Sequence, residues 1–86
     1  MDRVIGDPHA LGAAVREART ARGWTQSEVA GRAGVSRSFV LDIERGARPR
    51  AELTRVLSVL RALGKSLVVV DDPTESFESA LDEVLG

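Results

Sequence analysis

Apolar residues in the first quarter of the chain recur at the spacing of an α-helix. Three of them fall on one helical face with polar residues between them: Leu11, Val15 and Ala18. Asp7 followed by Pro8 predicts where this helix begins, because Asp accepts a hydrogen bond from an open backbone amide and proline suits the first turn. Gly23 predicts where it ends. Residues 1–6 precede the pattern and are expected to form a loose arm.

Two shorter helices are predicted next, and each begins at a capping residue. Thr25 and Glu28 have the spacing of a capping box, in which each side chain bonds the backbone amide of the other. Ser36 caps the following helix, and Gly34 lies between the two, where a left-handed turn residue is useful. Gly46 ends the second of them. The inner faces are expected to be Val29, Ala30 and Ala33 in one helix, and Phe39, Val40 and Ile43 in the other.

The pattern changes after a fourth predicted helix, which runs from about Ala51 to Gly64. Its wide apolar stripe comprises Leu53, Val56, Leu57, Leu60 and Leu63. The next apolar run is rich in β-branched side chains, which predicts a strand made of Leu67, Val68, Val69 and Val70. Beyond Pro73 the apolar residues return to helical spacing: Phe77, Leu81, Val84 and Leu85.

These patterns predict one mainly α domain, a bundle of four or more helices with one C-terminal strand. The arm covers residues 1–6, the helical domain 7–64, the strand segment 65–72 and the tail 73–86. The chain has 86 residues, 43% of them hydrophobic, so its core is small. It has no Cys and one His, His9, so a disulfide or a structural metal site is not expected. Oligomerisation is the remaining way to supplement such a core.

The predicted strand favours a homodimer. A lone strand leaves backbone amides and carbonyls along both edges without partners, and the pattern predicts no second strand. Two copies related by a twofold axis would pair residues 67–70 antiparallel. The alternative is that these residues pack on the fourth helix of their own chain.

Charge is distributed unevenly, although the net charge is only −1. Residues 1–65 contain all 12 basic and 7 of the acidic residues, a net charge of +5. Residues 66–86 contain 6 acidic and no basic residues. A basic body suits nucleic acid, whereas an acidic tail suits either solubility or a protein partner.

Residues 25–46 have the pattern of a helix-turn-helix, two short helices joined by a turn that contains glycine. With Phe39, Val40 and Ile43 directed inward, the start of the third helix is directed outward, where it reaches base edges in the major groove of DNA. Gln26 would contact a phosphate or brace Arg37. The predicted DNA-binding residues are Thr25, Gln26, Ser36, Arg37, Ser38, Arg48 and Arg50. Arg16, Arg22 and Arg32 are expected to be mostly solvated surface charges.

These motifs resemble the Xre/Cro family of repressor-type, lambda-repressor-like helix-turn-helix domains. The resemblance covers roughly residues 11–64 and rests on four segments: 15–19 (VREAR), 23–30 (GWTQSEVA), 34–38 (GVSRS) and 43–46 (IERG). It implies that Arg19 and Glu44 form an ion pair that fastens the first helix to the third; the alternative for Arg19 is a contact with a phosphate. Many relatives have a small or polar residue at the position of Phe39. Its bulky side chain is expected either to lie in the core or to contact a thymine methyl.

One such domain followed by the segment 63–70 and a short tail is similar to HipB-like antitoxins. That resemblance implies a strand paired across the dimer and a tail that contributes to binding a toxin, which would be kinase-like. It also implies a repressor that binds double-stranded DNA at an inverted repeat and regulates its own operon. Phe77, Leu81, Val84 and Leu85 would be the anchors of the tail on its partner.

The same sequence is compatible with two other classes of function. One alternative is a stand-alone regulator with no toxin, and another is a protein-interaction module on the same scaffold. Asp71 and Asp72 end the predicted strand and are not expected to bind a metal. No enzymatic activity, cofactor or membrane span is expected, since no catalytic constellation, phosphate-binding loop or long apolar run is present. The chain lacks a recognisable signal peptide, and a cytoplasmic, nucleoid-associated protein is expected.

Overall fold

The computed structural model describes residues 4–71 and Val84, and these contain four α-helices. They are α1 (Pro8–Ala21), α2 (Gln26–Ala33), α3 (Arg37–Glu44) and α4 (Leu53–Ala62). Helix α3 packs against both α1 and α2, while α4 packs against α2. Residues 4–6 have no regular structure and are exposed, as expected of an arm.

Local capping explains where the first three helices begin. Asp7 accepts a hydrogen bond from the Ala10 amide at 2.8 Å, and Pro8 is the first residue of α1. The predicted capping residues Thr25 and Ser36 likewise begin α2 and α3. Gly34 ends α2 at φ 70° and ψ 31°, the left-handed conformation that allows the chain to turn sharply into α3.

The core is formed by ten buried apolar side chains drawn from all four helices. They are Val15, Val29, Ala30, Phe39, Val40, Ile43, Val56, Val59, Leu60 and Leu63. Phe39 is 1% exposed, so of its two expected roles it takes the one in the core. The inner faces predicted for α2 and α3 are confirmed by this cluster.

The predicted stripe of α4 was wrong at its first member. Helix α4 begins at Leu53 rather than near Ala51, and Leu53 is 63% exposed. Val59, which the stripe omitted, is 1% exposed. Helical periodicity specifies a face, but which residues of that face are buried depends on where the neighbouring helices pack. Val56, in the same turn as Leu53, is 6% exposed.

Helices α1 and α3 approach each other closely at a glycine. A Cβ added to Gly12 would lie 2.7 Å from the carbonyl oxygen of Glu44 and nearer still to that of Ile43. Real Cβ atoms essentially never come so close to a backbone oxygen. Position 12 therefore accepts only glycine if the observed packing of the two helices is to be kept.

The segment after α4 has no regular structure in the single chain as far as residue 71. Leu67, Val68, Val69 and Val70 are 50%, 77%, 100% and 64% exposed, so they are not packed on α4 of their own chain. No strand is present among the described residues, so the strand predicted for residues 67–70 is not formed in the single chain. Of the tail anchors, Phe77, Leu81 and Leu85 lie outside the described residues.

Candidate DNA-binding site

Helix α3 is buried along its inner face and exposed at its N-terminal turn. The Ser36 hydroxyl accepts a hydrogen bond from the Phe39 amide at 3.0 Å, which fixes the start of the helix. Arg37 and Ser38 occupy the first turn and are exposed. Val40 and Ile43 are 0% and 3% exposed and hold the inner face down. The helix therefore presents its first turn to solvent, as the sequence predicts.

The start of α2 also lies on the surface. The Thr25 hydroxyl accepts a hydrogen bond from the Glu28 amide at 3.1 Å and donates one to the Glu28 carboxylate at 3.3 Å. Gln26 is the first residue of α2. Its side-chain nitrogen donates to Oε1 of Glu44 at 3.4 Å. The sequence predicted that Gln26 contacts a phosphate or braces Arg37. It did not predict this hydrogen bond to Glu44, which links α2 to the end of α3.

Arg19 joins three parts of the domain. Its Nε and Nη2 donate to the two carboxylate oxygens of Glu44 at 2.7 and 2.9 Å, the ion pair that the family resemblance implied. Its Nη1 donates to the Trp24 carbonyl at 2.9 Å, on the turn between α1 and α2. The two side chains are only 15% and 5% exposed. This clamp fixes Glu44, and through Glu44 it holds Gln26.

The ion pair also affects the titration of Arg19. The hydrogen bond donated to Glu44 raises the pKa of Arg19, outweighing the partial burial that lowers it. Arginine already titrates far above neutral pH, so a further increase in its pKa keeps the guanidinium charged at every pH at which the protein would be studied. Arg19 therefore keeps its charge in the clamp as pH rises.

The loop after α3 carries the two arginines predicted to meet DNA. Arg48 donates from Nε to Oδ2 of Asp42 at 3.0 Å, and its guanidinium carbon lies 5.2 Å from the centre of the Phe39 ring. Arg50 is exposed. Asp42 was not singled out from the sequence, because six positions is not the three- or four-residue spacing of helix neighbours. The pair orients Arg48 beside α3.

Two arginines expected to be plain surface charges have structural contacts. Arg22 donates from Nε to the Leu63 carbonyl at 3.1 Å, which satisfies an end group of α4. The guanidinium carbons of Arg22 and Arg32 lie 4.9 and 4.2 Å from the centre of the Trp24 ring. Both side chains remain exposed, as expected of surface charges, and in addition they contact the aromatic face of Trp24.

The described part of the chain contains no helix long and apolar enough to cross a membrane. Val84, the one tail anchor that the structure describes, is 80% exposed.

The fold and this site define a helix-turn-helix transcriptional regulator that binds DNA. A family model described as a helix-turn-helix domain matches residues 10–72. The chain belongs to this Xre-like helix-turn-helix family.

A curated relative and several solved structures are similar to the chain over most of its length. The chain is 40% identical over 70 residues to an uncharacterized HTH-type transcriptional regulator, y4mF, from Sinorhizobium fredii, covering 81% of this chain and 91% of that protein. A HipB–O4 20mer complex has a TM-score of 0.74 at 28% identity, covering 81% of this chain and 97% of that chain. A HipA–HipB–O2–O3 complex has a TM-score of 0.72 at 30% identity, with the same two coverages.

Proposed function

We propose that this protein is a sequence-specific repressor that binds an inverted DNA repeat as a homodimer. The proposal rests on the first turn of α3, where Arg37 and Ser38 are exposed. The inner face of the same helix is buried in the core, which fixes the direction of this turn. In helix-turn-helix proteins the N-terminal residues of the recognition helix contact base edges. Arg37 is suited to donate two hydrogen bonds to a guanine.

Phosphate contacts would orient the domain on the duplex. The backbone amides at the start of α2, next to Thr25 and Gln26, would bind a phosphate oxygen, because the N-terminus of a helix favours anions. Arg48 and Arg50, on the loop after α3, would contact phosphates farther along the DNA strand. The guanidinium of Arg48 is oriented by Asp42, which keeps Nε occupied while its remaining N–H groups are available to DNA. Affinity would then fall steeply as salt concentration rises.

The exposed apolar segment 67–70 supports the dimer. Four consecutive apolar side chains, all at least half exposed in the single chain, form a surface that a second copy would cover. Antiparallel pairing of two such segments would satisfy their backbone groups and seal both small cores. The twofold axis would set two α3 helices about 34 Å apart, one turn of DNA, or a multiple of that distance.

Binding-site selection from random duplexes tests this function. We expect the wild-type protein to select two inverted half-sites. Arg37→Ala should relax one base position in each half-site, a loss of about 1–3 kcal/mol of discrimination. Arg61→Ala removes an equally exposed arginine from the last turn of α4 and should leave the selected motif unchanged. An unaltered motif for Arg37→Ala would contradict its role, and a single half-site would contradict the dimer.

A second proposal is that this regulator is the antitoxin of a type II toxin–antitoxin pair and represses its own operon. It is supported by the similarity to HipB, which includes a complex of HipB with HipA. It is also supported by the acidic tail, whose apolar residues have the spacing of an amphipathic helix that enters a partner's groove. Such a protein would act in the cytoplasm at the nucleoid, and no enzymatic activity is proposed for it.

Co-purification with the product of the neighbouring gene tests the antitoxin proposal, which expects that product to be a kinase-like toxin. Deleting residues 74–86 should abolish capture of that partner, since the tail anchors are lost, and should leave DNA binding intact or stronger. DNA binding measured on the same preparation serves as the control for folding. Equal capture by the truncated chain would contradict a role for the tail, and no capture by the full chain would favour a stand-alone regulator.

A further inference from the structure

Three arginines line one shallow cavity where the loop after α3 meets α4. The cavity has a volume of about 420 Å³ and is lined by Phe39, Arg48, Pro49, Arg50, Ala51, Glu52 and Arg55. Its charged side chains are exposed. Glu52 offsets one positive charge through a contact with Arg55 at 3.4 Å, which leaves a net charge of +2 on the lining. The cavity is therefore a concave basic surface, hereafter called the arginine cavity.

Arg19 is less available to an acidic ligand, because it is clamped on Glu44 and its side chain is only 15% exposed. The arginine cavity, by contrast, gathers guanidinium groups around an open volume. Arg48 and Arg55 each use Nε in an exposed ion pair, with distances of 3.0 and 3.4 Å, and retain further N–H donors.

The chain itself contains a segment of complementary charge. Residues 71–86 carry six acidic residues and no basic ones. They are joined to α4 by residues 65–70, so the 22 residues from 65 to 86 could extend about 70 Å. Helix α4, with 10 residues, is only about 15 Å long. The acidic segment can therefore reach from the end of α4 to the arginine cavity at its start.

We propose that residues 71–86 dock in the arginine cavity of their own chain and compete there with DNA. The competition rests on the proposed function, in which Arg48 and Arg50 contact phosphates. Carboxylates pair with guanidinium groups through the same donors that bind phosphate oxygens. Each exposed pair contributes little by itself. Tethering raises the local concentration of the segment to the millimolar range, which gives partial and salt-sensitive occupancy.

Docking is tested directly by amide NMR on full-length protein without DNA. A neutral-tail variant carries six substitutions, Asp71→Asn, Asp72→Asn, Glu75→Gln, Glu78→Gln, Asp82→Asn and Glu83→Gln. Relative to it, the wild type should show shifted amide signals at Arg50, Ala51 and Glu52, and high salt should remove the difference. Identical signals at these three amides, or differences confined to the neighbourhood of Trp24, would overturn docking in the arginine cavity.

Competition is tested by DNA affinity at low salt. The neutral tail should raise the affinity for DNA about threefold to tenfold. This corresponds to a wild-type protein in which the tail leaves the arginine cavity unoccupied in only about 10–30% of molecules. Arg55→Gln removes one positive charge from the arginine cavity. In this background the ratio of DNA affinities between neutral-tail and wild-type chains should fall towards one. Arg61→Gln removes the same charge at the other end of α4 and should preserve the gain. Equal gains in both backgrounds would indicate general repulsion between tail and DNA and would overturn the proposal.

The two measurements separate the failure of this inference from the failure of the proposed function. Shifted amides at the cavity combined with unchanged DNA affinity would uphold docking and overturn the assignment of Arg48 and Arg50 to DNA. Unshifted amides combined with normal selection of an inverted repeat would overturn docking and leave the repressor intact.

Discussion

Gly12→Ala is expected to lower the free energy of unfolding by about 1–3 kcal/mol or more, the range for overpacked cores. The new Cβ would lie 2.7 Å from the Glu44 carbonyl oxygen and closer still to that of Ile43. Both neighbours are backbone atoms of α3, so neither can rotate away, and α1 and α3 must move apart. That movement also strains the Arg19–Glu44 clamp, which spans the same two helices.

Gly31→Ala is the matched control for this prediction. Gly31 is also within a helix, but a Cβ there has nothing within 4 Å. Alanine should therefore stabilise α2 by about 0.5–1 kcal/mol, the usual gain in helix propensity over glycine. Urea denaturation of both variants checks the pair, with the midpoint shifting at a constant slope. Shifts of the same sign for both would show that the close approach of α1 and α3 has no energetic consequence.

Arg19→Ala is expected to cost about 2–3 kcal/mol, somewhat less than the 3–5 kcal/mol of fully buried pairs. The substitution leaves the carboxylate of Glu44, only 5% exposed, without its two strongest donors. It also removes the hydrogen bond to the Trp24 carbonyl, which steadies the turn before α2. Gln26 alone, at 3.4 Å, compensates for little of this loss.

Arg55→Ala is the control for the clamp, because Arg55 also pairs with a glutamate. Its contact with Glu52 is 3.4 Å long, and the side chains are 55% and 68% exposed. Solvent screens such a pair, so the change in the free energy of unfolding should stay within about 0.5 kcal/mol. Denaturation of both variants at one pH gives the comparison. Comparable losses for Arg19→Ala and Arg55→Ala would mean that burial of the clamp does not matter.

The contribution of the Arg19 titration to stability has a defined pH dependence. Because the folded state raises the pKa of Arg19, this contribution is fully present below the unfolded pKa and is lost only as pH rises through the folded pKa. Both pKa values lie far above neutral pH. The difference in stability between wild type and Arg19→Ala should therefore not decline between pH 7 and pH 9, as denaturation at the two pH values would show.

Local chemistry made most of the helical framework predictable. Asp7, Thr25 and Ser36 were assigned as caps because their side chains satisfy amides only a few residues away. The turn at Gly34 was predictable for the same reason, since its left-handed backbone is a local property. The exposed position of Arg37 followed from the burial of Phe39, Val40 and Ile43, because helical geometry fixes opposite faces together.

Contacts between distant segments could not be obtained in this way. The pairing of Arg19 with Glu44 spans 25 positions, and only family resemblance indicated it beforehand. The links from Gln26 to Glu44 and from Arg22 to Leu63 went unpredicted, because a polar residue on a helix surface carries no local sign of its partner.

The amino-acid sequence by itself determined the caps, the turn, the helix order and the outward face of α3, since all of these depend on neighbours within a few residues. Only the tertiary structure decided that Gly12 must lack a side chain, that Leu53 lies in solvent while Val59 is buried, and that three arginines share one cavity. Those outcomes depend on which surfaces meet when the helices pack, and periodicity along one helix contains no information about the helix opposite.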